Sequence, residues 1–135
     1  MPEYTCEILT PYRRLYSGKV ESVVFTTHDG EVEVLAGHEP MVMPVAVGSI
    51  RLKGEGLDRV AAVTEGFARV RAGKVDVFVG AAEWPEEIDR ERAERALGRA
   101  TKRLAAETQE WLASRAKSAA ERAHNRIKVA GFRSA

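Results

Sequence analysis

A chain of 135 residues, 44% hydrophobic and 30% charged, has enough apolar content for one packed domain with an appendage and too much for wholesale disorder. Its single cysteine, Cys6, excludes an intrachain disulfide and a multi-thiolate metal site. No apolar run approaches the ~20 residues that cross a bilayer, Met1 leads into the polar PEYTCEIL rather than a signal segment, and together these features predict a soluble protein of a reducing compartment.

The first part of the chain reads as short strands. YTCEIL, KVESVVFTT, EVEVLA, MVMPVAVG, SIRLK, RVAAVT, FARVR and KVDVFVGAA are β-branched or alternating runs. Turn signals separate them, among them Asp29-Gly30, Gly37-His38, GEGLD at 54–58 and Ala72-Gly73. No helix-length segment intervenes, so the spacing predicts an all-β sandwich or barrel rather than β-α-β units. Within KVDVFV, Val75, Val77 and Val79 fall on one face and Lys74, Asp76 and Phe78 on the other. Phe78 implies that the second face is also partly covered.

Trp84-Pro85 ends this part, and two helices are expected to follow. Asp89 is placed to cap the first, with acidic residues about the first turn where the helix dipole favours them. From about Asp89 to Glu107 the apolar positions Ala93, Ala96, Leu97, Ala100 and Leu104 recur at helical spacing. From about Glu110 to Ala130 the stripe is Leu112, Ala116, Ala119, Ala123, Ile127 and Ala130. A short polar link between them predicts an antiparallel hairpin. The fold class is therefore α+β: an N-terminal all-β sandwich over 1–85, then a C-terminal two-helix hairpin over 86–135. A buried methyl contributes about 0.8 kcal/mol against about 1.5–3 for a whole leucine. A seam of alanines should thus be weakly held and able to open without unfolding either helix.

Charge divides at the same place. Residues 1–85 hold 9 Lys/Arg against 12 Asp/Glu, whereas residues 86–135 hold 12 against 8, inside a net charge of +1. Catalytic patterns are absent from the sequence: His28, His38 and His124 lie far apart without metal-ligand spacing, and neither a nucleophile elbow nor a Walker A loop occurs. The arginines are more informative. Arg92 and Arg99 are seven apart on the first helix, and Arg122 and Arg126 four apart on the second, all beside the alanine stripes. Guanidinium forks suit phosphate, so the hairpin could gather them into a polyphosphate site without a P-loop. A solvated helix flank, its charge absorbed by neighbouring glutamates such as Glu91 and Glu94, fits the same spacing.

Longer motifs bear on that choice. GEVEVLAGHEP at 30–40, VTEGFARV at 63–70, KVDVFVGAAEWPEEID at 74–89 and RAHNRIKVA at 122–130 together resemble the epsilon subunits of bacterial F-type, proton-translocating ATP synthases. The likeness runs in order over nearly the whole chain. That family often carries GxxGxLPGH; here Glu33 and Ala36 replace its second glycine and its proline. Glu65 likewise stands where a second glycine usually precedes Gly66-Phe67. These positions should then not require positive φ.

The resemblance implies a non-catalytic central-stalk rotor subunit, peripheral on the cytoplasmic face of the bacterial cell membrane. Its implied partners are the gamma subunit, the c-ring and the alpha/beta catalytic subunits, with no nucleic acid and no transmembrane segment. It implies no obligatory cofactor, but ATP as a regulatory ligand with magnesium dependence left open. The family's nucleotide motif, Ile/Leu-Asp-x-x-Arg-Ala, stands whole as Ile88-Asp89-Arg90-Glu91-Arg92-Ala93. Glu83, Arg99, Arg122 and Arg126 fall at the other matching places. By the resemblance, Arg92, Arg99, Arg122 and Arg126 would hold phosphates or ribose, Ile88 would pack on the base, Asp89 would cap and organise the segment, and Ala93 would leave room. The stretch Gly30–Pro40, with Gly30, Glu31, Gly37, His38 and Pro40, would face partners. The rival reading is a free-standing β-domain whose basic hairpin binds nucleic acid or another acidic partner. Glutamates interleaved among the helical arginines oppose it, because they break a phosphate-tracking stripe.

Overall fold

Alternating burial sorts the first part of the chain into ten strands, which pack as two five-stranded sheets with a common apolar interior. The computed structural model describes residues 2–132. The strands are β1 (Tyr4–Leu9), β2 (Arg14–Val20), β3 (Ser22–Thr27), β4 (Gly30–Leu35), β5 (Met41–Val45), β6 (Gly48–Gly54), β7 (Leu57–Val63), β8 (Gly66–Arg71), β9 (Lys74–Val79) and β10 (Ala82–Glu83). One sheet runs β2-β1-β9-β8-β5 and the other β10-β7-β6-β3-β4. β1 and β9 pair in parallel, and the other strand pairs among the described residues are antiparallel. Ile8, Phe25, Ile50 and Leu52 are wholly buried between the sheets. The sandwich expected from the turn spacing is what forms.

Two strand boundaries differ from the sequence expectation. KVESVVFTT is not one strand: it breaks at Glu21, where the chain leaves β2 in one sheet for β3 in the other. β2 itself was hidden, because its half-exposed residues, including Ser17 and Gly18, carry little apolar pattern. KVDVFVGAA also divides, since β9 ends at Val79 and β10 pairs with β7 across the sandwich. Among the described residues no non-glycine has positive φ, so Glu33 and Glu65 occupy ordinary backbone. Gly66 is required for a different reason, as a Cβ there would lie 1.8 Å from the Phe78 carbonyl oxygen.

A 3-10 turn at Pro85–Glu87 leads into α1 (Arg90–Ala106) and α2 (Glu110–Ala130). Asp89 caps α1 as expected, its Oδ1 accepting the Arg92 backbone N–H at 3.0 Å. The seam between the helices is alanine: Ala93, Ala100, Ala116 and Ala123 are its buried residues. Leu104, expected on the apolar stripe, is 40% exposed because two helices alone cannot enclose it. The last turns of α2 face the sandwich instead of α1. There Val129 joins Val60, Ala62 and Ile88 in a second apolar cluster on the outer face of the β10-β7-β6-β3-β4 sheet. Among the described residues no helix is long and apolar enough to cross a membrane.

Candidate functional site

Helical periodicity brings arginines from both helices to one groove. Arg99 and Arg103 from α1 face Arg115 and Arg122 from α2 across a cleft of about 580 Å³, floored by Ala96, Ala100, Ala116 and Ala119. Among the described residues, none of these four guanidiniums makes an ion pair or a side-chain hydrogen bond. The one carboxylate lining the cleft, Glu107, accepts the backbone N–H groups of Thr108 and Gln109 at 3.1 and 2.9 Å, fixing the link between the helices. The small floor residues make the groove, since any longer side chain there would fill it.

A second cavity of about 330 Å³ adjoins the first, with Ala96, Ala119 and Arg122 common to both. Its walls are mainly apolar, from Val47, Ala62, Val63 and Ala81, with Thr64, Glu83, Asn125 and Arg126 as polar members. Arg126 is already neutralised here: Nε donates to Glu83 Oε1 at 2.7 Å and Nη2 to Oε2 at 3.0 Å. Asn125 Nδ2 donates to the Gly48 carbonyl at 2.8 Å, a second tie between α2 and the sandwich. At the join, Glu87 accepts both Arg13 nitrogens and the Trp84 N–H, and the Arg13 guanidinium holds its carboxyl below the ordinary value against the opposing effect of burial.

The residues expected from sequence thus divide. Arg99 and Arg122 share the larger cleft, and Glu83, Arg122 and Arg126 share the smaller. Arg92 is exposed at the start of α1 and lines neither. Ile88 is only 9% exposed, enclosed by Val60, Ala62 and Val129, and Ala93 is fully buried, leaving no space for a larger side chain. Arg103 and Arg115 were missed, although Arg99 and Arg103 are four apart and Arg115 and Arg122 seven apart, the spacings that mark a shared face.

In the stretch expected from sequence to be a partner-facing loop, Gly30 and Glu31 lie instead in the edge strand β4. Gly37 makes the turn with φ +84°, the His38 N–H donates to the Leu35 carbonyl at 3.3 Å, and Pro40 is exposed. His38 Nδ1 lies 2.8 Å from the Glu39 carbonyl oxygen and is assigned as its donor, so the ring braces its own turn.

Comparison with known proteins agrees over both parts. Residues 3–85 match the family described as the ATP synthase delta/epsilon chain beta-sandwich domain, and residues 86–131 its long alpha-helix domain. The ATP synthase epsilon chain of Macrococcus caseolyticus is 44% identical over 136 residues, covering 98% of this chain and 100% of that protein. That of Caldicellulosiruptor bescii is 41% identical over 130 residues, covering 96% and 95%. Among solved structures, a chain of the Euglena gracilis mitochondrial ATP synthase, in an assembly of OSCP, F1 and c-ring, superposes with a TM-score of 0.81 at 27% identity, covering 91% of this chain and 78% of that one. A chain from the Tetrahymena thermophila mitochondrial ATP synthase central stalk and c-ring shares the fold with a TM-score of 0.69 at 12% identity, covering 93% and 95%.

Proposed function

The chain belongs to the ATP synthase delta/epsilon family, whose epsilon chain is a non-catalytic subunit, and from this premise we propose that its hairpin is an ATP-governed regulator of the rotor. The observation that carries this reading is the group of four guanidiniums around the interhelical cleft, to which no carboxylate among the described residues is paired. Like charges gathered in a groove oppose its closure, and a triphosphate would neutralise them through bidentate contacts while bridging α1 to α2. The adjoining cavity, apolar with Thr64 and Glu83 at its wall, suits the ribose and base end, and Arg122 lies where the two ends meet. Asp89 and its cap hold the start of α1, and so the path of Arg92, in place.

ATP would then favour the docked hairpin only through its higher affinity for that form. Without ATP, the alanine seam would let the helices extend toward the acidic surfaces of the alpha/beta catalytic subunits and restrain hydrolysis. The sandwich would ride on the central stalk, peripheral on the cytoplasmic face of the membrane, contacting gamma and the c-ring. Gly30, Glu31, Gly37, His38 and Pro40 would be among its partner-facing residues. In this way the subunit couples proton transport to ATP synthesis without catalysing either.

Calorimetric titration with ATP tests the site. Arg99→Ala and Arg122→Ala should each weaken binding roughly ten- to a hundredfold, since a hydrogen bond to a charged group contributes about 1.5–3 kcal/mol. Arg14→Ala, on the sandwich, should leave it unchanged. A wild-type chain that does not bind ATP, or equal losses from all three variants, would contradict the reading.

A further inference from the structure

Where sandwich meets hairpin, the hydrogen bonds reverse direction within two residues. Up to Ile88 they run back toward the sandwich. The Glu87 N–H donates to the Trp84 carbonyl at 3.0 Å, and the Ile88 N–H to that of Pro85 at 3.2 Å. Trp84 itself belongs to the sandwich core, set edge-on to Tyr16 and beneath the Arg59 guanidinium at 3.5 Å. From Asp89 the bonds run forward. Its side chain accepts the Arg92 N–H and its carbonyl the Ala93 N–H, each at 3.0 Å. Among the described residues, no hydrogen bond or ion pair links 84–88 with 89–106.

One arginine holds the sandwich side of that boundary. Arg13 stands on the turn between β1 and β2, where Thr10 Oγ1 accepts its N–H at 3.1 Å and the Thr10 N–H donates to its carbonyl at 2.9 Å. Its Nη1 and Nη2 donate to Glu87 Oε2 and Oε1 at 2.7 and 2.8 Å, and Nη2 also to the Ala82 carbonyl on β10 at 2.9 Å. Glu87 Oε1 further accepts the Trp84 N–H at 2.9 Å. An ion pair with side chains 44% and 35% exposed contributes little by charge alone. A guanidinium fork that also takes a backbone carbonyl, closed on a carboxylate that also takes a backbone N–H, fixes orientation as well. It ties a turn of one sheet, an edge strand of the other and the 3-10 turn into one piece. Arg59 on β7 adds a weaker tie, its Nη2 3.4 Å from Glu86 Oε1.

The ATP site proposed above straddles this boundary. Thr64 and Glu83 lie on the sandwich side, and Arg99 and Arg122 on the helices. A ligand that grips both halves must order whatever freedom the joint leaves, and each loose residue adds to that cost. We propose that Arg13 is a positioning residue for the nucleotide response: its clasp on Glu87 makes 84–88 part of the sandwich and confines the pivot of the hairpin to the junction of Ile88 and Asp89. The inference rests on the ATP-governed hairpin and adds the residue that presets the two halves of its site. Arg13 acts through Glu87 and touches no ligand.

Site-resolved hydrogen exchange of the full chain without nucleotide, followed by a titration with ATP, tests it. In the wild type the Trp84, Glu87 and Ile88 amides should exchange as slowly as those of the sandwich strands, and the α1 amides at least roughly tenfold faster. Arg13→Gln and, from the other side of the clasp, Glu87→Gln should each speed exchange at 84–88 and weaken ATP binding roughly three- to tenfold. Arg13→Lys keeps the charge without the fork and should lose less. Arg14→Gln alters the adjacent arginine, whose side chain has no hydrogen bond or ion pair among the described residues, and should match the wild type. Wild-type amides at 84–88 that exchange as fast as α1 would place the pivot before Trp84 and overturn the proposal, whether or not ATP binds. Faster exchange at 84–88 with unchanged ATP affinity would make Arg13 a structural brace only and overturn its positioning role. Should either glutamine variant unfold, the Arg13→Lys titration decides, and wild-type affinity together with loosened 84–88 amides overturns the role. A wild-type chain that binds no ATP overturns the regulatory reading and, with it, the part of Arg13 in it.

Discussion

The sandwich and the hairpin are held together by different physics. Inside the sandwich, large side chains such as Phe25, Ile50 and Leu52 are removed completely from water. Between the helices the buried groups are alanine methyls, and only where α2 meets the sheet do Ile88 and Val129 add bulk. Burial scales with area, so the first region should be stable alone, whereas the second should depend on a few polar ties and on whatever neutralises its arginines. A rigid body joined to a weakly seamed lever suits the proposed role, in which the subunit both holds a partner and responds to a ligand.

The sharpest way to break this contrast is to truncate one apolar side chain in each region. Phe25→Ala should cost about 3–5 kcal/mol in urea unfolding, and Leu104→Ala less than about 0.5. Comparable losses would mean that the hairpin has a core of its own. Overfilling the seam comes next. Ala116→Leu forces extra carbons into a site 6% exposed and should destabilise hairpin docking by about 1–3 kcal/mol. Amide exchange in α1 and α2 should rise while the sandwich strands keep their protection.

A smaller effect is expected where α2 meets the sandwich. Glu83→Gln leaves Arg126 without its carboxylate, but both side chains are about 30% exposed, so solvent screening limits the loss to about 1 kcal/mol or less. Faster exchange confined to the C-terminal half of α2 would report it. The smallest effect concerns acid and the sandwich. Burial alone would raise the Asp76 pKa, but the hydrogen bond from Arg69, the charge of Lys74 and the contacts of Arg71 outweigh it, and the group lies below its ordinary value of 3.8. A depressed carboxylate contributes stability above its unfolded pKa and loses it as pH falls through the folded one. Melting temperature should therefore fall below about pH 4, and Asp76→Asn should flatten that part of the profile.

The same contrast explains what the sequence disclosed. Strands with strong alternation, and helices bounded by Asp89 and the polar link at 107–109, could be read because each residue's neighbours in sequence carry the signal. β2 could not, since it is half-exposed and its membership of a different sheet from β3 is decided by pairing with β1. Arg99 and Arg122 were legible from their place beside the alanine stripes. The pairing of Arg126 with Glu83, 43 residues away, depends on how α2 docks, which no local pattern encodes. Asp76 was legible as outward-facing but not as buried, because arginines on the neighbouring strand β8 cover it.

Hydrogen exchange of the full chain with and without ATP tests the division of roles most directly. ATP should slow exchange along both helices, most strongly around Arg99–Arg103 and Arg115–Arg122, and leave β1, β3, β6 and β9 unchanged. Unaltered helices at saturating ATP, or protection spread equally over the sandwich strands, would contradict a rigid sandwich bearing a ligand-governed hairpin.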